Sequence, residues 1–203
     1  MAVTRMNKHV LLFDLGGVVV PWVGLDALSK NHGLTRDAVI AKLSASEIFH
    51  AYEIGACDDE TFLEEMIELF NMNISPENFA SMWNSWVHPP FHNTLETLAA
   101  LKSKYIIACL SNTNALHWEH LKAMFNLSDI FDYAFASHEI SAAKPDDESY
   151  IIPLKSMGVL AADVTFFDDT LMNVEAAQKL GITAHHVDRT VGVLPTLTKL
   201  GII

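Results

Sequence analysis

The chain has 203 residues, half of them hydrophobic and 19% charged, which is enough for a buried core and rules out a disordered chain. Asp and Glu number 25 against 13 Lys and Arg, a formal charge of −12, and a protein this acidic repels nucleic-acid phosphates and anionic membranes as main partners. An anionic small substrate stays admissible if a metal or a buried lysine works locally against that field.

Short apolar runs alternate with helical patterns along the chain. His9–Phe13 (HVLLF) reads as a buried strand ending in Asp14 and Gly16-Gly17. Tyr105–Leu110 (YIIACL) is a second, ending in Ser111-Asn112; Asp132–Ala136 is a weaker third. Val164–Phe167 (VTFF) ends in Asp168-Asp169, and Ile182–Val187 is the fifth. Runs of this length, bounded by turn signals and separated by helices, predict an α/β fold with a parallel sheet. The helices expected between them are Thr94–Lys104, Ala115–Phe125, Glu148–Met157 and Leu171–Leu180, the last closed by Gly181. Pro153 would kink the third of these if it lies past the first turn.

The interval from Asp14 to Ser111 is far longer than the roughly 30 residues a βαβ unit needs. Its surplus reads as helices over Leu25–His32, Thr35–Leu43, Ser46–Ile54, Asp59–Phe70 and Pro76–Val87. We therefore expect a core formed by residues 1–19 and 91–203, with residues 20–90 inserted after the first strand as a helical cap. Such an insert would sit over the C-terminal edge of the sheet, where open α/β folds bind ligands.

The strong strands end in polar residues, and a parallel sheet gathers those ends at one edge. Lys144, in Ala-Ala-Lys-Pro-Asp after the third strand, joins them. Three carboxylates, a hydroxyl, an amide and an ammonium would then meet. The carboxylates repel unless a cation lies among them, and carboxylate and carbonyl oxygens suit Mg²⁺. A phosphate oxygen could fill an open metal position.

Four segments, Phe13-Asp14-Leu15-Gly16-Gly17-Val18, Leu110-Ser111-Asn112-Thr113-Asn114, Lys144-Pro145-Asp146 and Phe167-Asp168-Asp169 with Asn173, resemble in order and spacing the motifs of the haloacid dehalogenase-like hydrolase superfamily. Ser-Asn-Thr-Asn followed by His117, together with Gly16, is most similar to the branch holding bacterial α-D-glucose-1-phosphate phosphatases and the phosphatase domain of soluble epoxide hydrolases. The resemblance implies a Rossmann-like five-stranded core, a helical cap and phosphatase activity on a small phosphorylated metabolite. It implies that Asp14 attacks phosphorus, and that Asp14, the Gly16 carbonyl and Asp169 hold Mg²⁺ with Asp168 close by. Ser111, Asn112 and Lys144 would bind the transferring phosphoryl group, supported by Asn173 and His117.

Gly16 departs from the commoner pattern, which has an aspartate there as general acid. The leaving group then needs little help, or a water or cap residue substitutes, or the protein is catalytically weak; a phosphomutase is disfavoured. The alternatives to a phosphatase are a metal-independent 2-haloacid dehalogenase and a binding or regulatory protein on the same fold. Asp168-Asp169 would also cap the following helix, and Ser111 or Asn112 the helix from Ala115.

Other residues read more plainly. His185-His186 point to opposite faces of a strand, Trp83 and Trp86 belong to the cap core, and Glu64-Glu65-Glu68 form a solvated face. His50, Glu53 and Trp22 are candidates for substrate contact from the cap or its hinge. Cys57 and Cys109 form no metal-type pair. No apolar stretch is long enough to span a membrane, and the N-terminal run broken by Asp14 is unlike a signal peptide, so a cytoplasmic protein, monomer or homodimer, is expected. The sequon at Asn126 is then chance.

Overall fold

A computed structural model describes residues 8–203; the N-terminal segment 1–7 of the leader reading lies outside them. Five parallel strands, β1 (Val10–Phe13), β2 (Ile106–Ser111), β3 (Tyr133–Ala136), β4 (Val164–Asp168) and β5 (Thr183–His186), form one sheet in the order β3-β2-β1-β4-β5. All five predicted strands are present, trimmed or extended by a residue or so at their ends. The fold is the expected α/β, Rossmann-like one.

Alternation along the strands splits the core. Leu11, Phe13, Ile107, Cys109 and Phe167 pack on one face. Val10, Leu12, Ala108, Leu110 and Phe166 pack on the other. Cys109 is thus a buried apolar side chain, and both cysteines are free. Helices α6 (Thr94–Leu101), α7 (Ala115–Met124), α8 (Leu127–Ile130), α9 (Ser137–Ile140), α10 (Asp147–Met157), α11 (Leu171–Lys179) and α12 (Leu194–Lys199) belong with the sheet. The short α8 and α9 and the terminal α12 carry too few periodic positions to be foreseen. Pro153 lies inside α10, which nevertheless continues to Met157.

Between β1 and α6 stand α1 (Gly24–His32), α2 (Arg36–Ser44), α3 (Glu47–Glu53), α4 (Asp59–Leu69) and α5 (Pro76–Ser85). Thr35, Ser46, Asp58 and Ser75 each accept a backbone N–H three residues on, and so start α2 to α5 in succession. Their apolar stripes converge on Leu28, Val39, Phe62, Met66, Phe79, Trp83 and Trp86, a cluster separate from the two sheet faces. Val20 and Val87 pack with the sheet's own cluster, while Trp22 touches both. Where the chain leaves and re-enters the core, the two segments run side by side: Val23 N–H donates to the Trp86 carbonyl, and His88 N–H to Pro21. Glu64 and Glu68 are exposed and Glu65 is half-buried. Among the described residues no helix is long and apolar enough to cross a membrane.

The central strand makes a direct test of the packing. Leu12 is 1% exposed between neighbours on β2 and β4. Leu12→Ala is expected to cost about 2–5 kcal/mol, read as a lower urea midpoint with an unchanged slope. A loss well below 1 kcal/mol would contradict this placement.

Candidate active site

Register sets the site. Phe13 pairs with Cys109 on one side and Phe167 on the other, so β1, β2 and β4 end together and present Asp14, Ser111 and Asp168 at one edge. The order reverses on either side of β1, which opens a crevice there. After Asp14 the chain curls back, with the amides of Val18, Val19 and Val20 converging on the Leu15 carbonyl. Gly17 has φ +74°, and a Cβ there would lie 2.4 Å from a carboxylate oxygen of Asp169. Glycine is thus required both by the left-handed backbone and by the approach of Asp169.

Lys144 is the centre of the polar network. Its ammonium donates to the Leu110 carbonyl (3.0 Å) and to Asp168 (2.7 Å), and it pairs with Asp14 at 2.9 Å. Its side chain is 1% exposed. Burial alone would lower the lysine pKa, but Asp14 and Asp168 more than reverse this and hold it above its usual value. Asp168 is fully buried and has its oxygens occupied by Lys144, the Thr170 N–H and the Asn173 amide. The Thr170 bond closes the turn before α11, but no side chain caps that helix, so the expected Asp168-Asp169 cap is not made; Asn173 reaches Asp168 from within the helix. Burial pushes Asp14 above the ordinary aspartate range; Lys144 opposes this and Asp168 and Asp169 add to it. Asp169 is likewise raised, by burial and then by Asp168, with Arg189 and Lys144 pulling it down.

Carboxylate oxygens of Asp14, Asp168 and Asp169 lie within 4.8 Å of one another. Asp168 has spent its oxygens, so Asp14 and Asp169 are the two with capacity left for a cation. The donor set fits a hard divalent ion such as Mg²⁺.

Asp14, Lys144 and Asp169 line a cavity of about 320 Å³ between sheet edge and cap. Ser111 is 4% exposed and lines it, and no hydrogen bond among the described residues engages its hydroxyl. Asn112 differs from its expected use. Its amide donates to the Lys144 carbonyl and accepts the Lys144 N–H, both at 2.8 Å, so the side chain holds the lysine loop. His117 donates its Nε2–H to the Trp83 carbonyl at 2.9 Å and stacks on the Trp83 ring. Burial pushes it down to about 4, so it is a neutral tie between α7 and the cap. Trp83 and Trp86 are buried in the cap core, and Trp83 also reaches the cavity, as do Trp22 and Glu53. His50 is exposed and lies outside the cavity lining. His185 stacks on Phe167, whereas His186 reaches the Asp169 carbonyl.

Arg189 was not singled out from sequence. It lies 3.6 Å from Asp169 and donates to the Trp22 carbonyl, joining the acidic edge to the cap hinge. It stands three residues beyond the end of β5, past the position that Asp14 holds after β1, so the strand-end pattern does not mark it.

Replacing Lys144 by Met strands two buried carboxylates. Lys144→Met is expected to cost about 3–5 kcal/mol at neutral pH. Burial already raises the folded-state pKa of Asp14 against the pull of Lys144, and without the ammonium it lies further above the unfolded one. The stability Asp14 contributes is then present below the unfolded pKa and lost as pH rises through the folded one, so the cost shrinks on acidification. Urea titrations of both proteins across acidic to neutral pH check this, and a cost independent of pH would contradict it.

Comparison with known proteins agrees with this geometry. A family model described as a haloacid dehalogenase-like hydrolase matches residues 9–181. The chain is 24% identical over 185 residues to a D-ribitol-5-phosphate phosphatase of Bacteroides thetaiotaomicron, covering 87% of this chain and 89% of the relative. It is 25% identical to a sesquiterpene phosphatase of Aspergillus oryzae, with 93% and 94% covered. A haloacid dehalogenase family enzyme from B. thetaiotaomicron, solved with magnesium and inorganic phosphate, superposes with a TM-score of 0.74 at 27% identity, over 88% of this chain and 93% of that one. The chain belongs to the haloacid dehalogenase-like hydrolase family, among relatives that are phosphatases.

Proposed function

We propose that this protein is a Mg²⁺-dependent phosphatase of small phosphorylated metabolites, a sugar phosphate among them, and that Asp14 carries the phosphoryl group. The observation that carries the reading is Lys144, buried and held between Asp14 and Asp168 at the floor of the cavity. A metabolite's phosphate is anionic, so an anionic nucleophile can approach it only where positive charge is already fixed. Asp14, Asp169 and the Gly16 carbonyl would hold the ion, with Asp168 behind them. When bound, the metal neutralises and orients the phosphoryl oxygens.

The chain's own residues do the rest. Lys144 opposes the burial that raises Asp14, and its ammonium lies where the phosphoryl oxygens would come. Ser111 offers an uncommitted hydroxyl to one of those oxygens. Asn112 fixes the backbone of Lys144, and Asn173 fixes Asp168. Asp14 then attacks phosphorus, the bond to the leaving oxygen breaks, and water later attacks the aspartyl phosphate and frees phosphate. The similarity to a D-ribitol-5-phosphate phosphatase and a sesquiterpene phosphatase supports a phosphate monoester whose organic part enters the cap side.

Phosphate release from a panel of phosphate esters, with Mg²⁺ and with EDTA, checks the reading. We expect turnover that EDTA abolishes and that Asp14→Asn reduces to background. Wild-type turnover equal to Asp14→Asn would contradict it, and chelator-insensitive halide release from a 2-haloacid would point to the dehalogenase instead.

A further inference from the structure

Gly16 cannot move a proton, yet an alkoxide leaving group needs one. The nucleophile lies on the core, and in-line displacement makes the leaving oxygen depart on the side away from Asp14. In this fold that side is the cap wall. The cap lines the cavity with Trp22, Leu25, Phe49, Trp83 and Val87, all apolar, and with a single ionisable side chain, Glu53.

Glu53 is the last residue of α3, and its placement is enforced. Gly55, two residues on, has φ +72°, and a Cβ there would meet the His138 carbonyl oxygen at 2.3 Å. The end of α3 is therefore pressed backbone to backbone against the core segment after β3. The other flank of α3, His50 and Ile54, lies along residues Ser141 to Glu148, the loop that carries Lys144. A helix docked at both places points Glu53 over the floor of the cavity. No hydrogen bond or ion pair among the described residues engages its carboxylate, which is half-buried at the cavity wall.

We propose that Glu53 is the acid and base that Gly16 does not supply. This rests on the phosphatase reading above. As Asp14 bonds to phosphorus, the phosphorus–oxygen bond to the leaving group breaks and its electron pair takes the proton of the Glu53 carboxyl. The alcohol leaves. Water then attacks the aspartyl phosphate and passes its proton to the Glu53 carboxylate, the bond between Asp14 and phosphorus breaks toward Asp14, and both side chains return to their starting states. The other titratable cavity groups are committed elsewhere: Lys144 to its two carboxylates, His117 to the Trp83 carbonyl, Arg189 to Asp169 and Trp22. His50 faces solvent on the same helix, and His138, Asp147 and Glu148 flank α3 outside the cavity. Burial pushes Glu53 up to about 7, with Lys144 opposing, which suits a group that must both give and take a proton near neutrality.

The test compares leaving groups in the wild type, Glu53→Gln and Glu53→Asp. One substrate is p-nitrophenyl phosphate, whose phenolate leaves without a proton; the other is the best alkyl phosphate of the panel. For Glu53→Gln we expect the ratio of alkyl to aryl kcat to fall about 10²-fold. The alkyl rate of the wild type should decline as pH rises and Glu53 ionises, opposite in sense to the acid-side loss expected of Asp14. Glu53→Gln should lack that decline and Glu53→Asp should partly restore it. Equal losses on both esters, a raised KM with kcat kept, or a wild type confined to the aryl ester would overturn the proposal while leaving the phosphatase reading standing. Turnover of neither ester by the wild type would overturn both.

Discussion

A single buried ammonium organises this site. Lys144 meets two carboxylates and a carbonyl with almost no exposure to water, and each partner comes from a different strand end. Its charge costs desolvation energy that only those anions offset, so the lysine and the acidic edge require each other. Such an arrangement is poor evidence for stability in its own right. Its consequence is positional: a cation and the carboxylate of Asp14, which we propose as the nucleophile, are fixed side by side before substrate arrives, so the proposed reaction needs no reorganisation of that pair. Asn112 and Asn173 extend the same logic outward, one holding the lysine backbone and the other the carboxylate that orients it.

The cap completes what the edge lacks. Four serially capped helices and an apolar cluster of its own make it a body that can carry side chains to fixed places. It meets the core through the paired hinge segments at Trp22 and Val87, the His117–Trp83 contact and the close approach of Gly55 to His138. The first two cross the wall of the cavity, and the third sets the height of α3 above it. An apolar wall broken by one carboxyl group suits an organic leaving group that must be stripped of water but still receive a proton.

Much of this was legible in the residues. The five apolar runs ending in Asp14, Ser111 and Asp168 marked both the strands and the edge where they converge, because a parallel strand buried on both faces has to be apolar until it stops. The excess length before Ser111 marked the insert. What stayed hidden depends on contacts between distant segments. Asn112 sits beside Ser111 in a phosphate-binding motif, yet its amide bonds to a backbone more than 30 positions away, which no local pattern encodes. Gly17 looks like any turn glycine until Asp169 is seen against it. Glu53 stands in the sequence as a candidate for substrate contact, but its place as the one ionisable group among the apolar residues of that wall shows only once α3 is docked.

Fluorine NMR with beryllofluoride tests the core of the account most directly, since the ion mimics a phosphoryl group on an aspartate and requires no substrate to be known. With Mg²⁺ present we expect protein-bound fluorine resonances that vanish on adding EDTA and are absent from Asp14→Asn. Resonances that persist in Asp14→Asn, or none in the wild type with saturating Mg²⁺, would contradict the assignment of Asp14 as the residue that accepts the phosphoryl group beside a divalent ion.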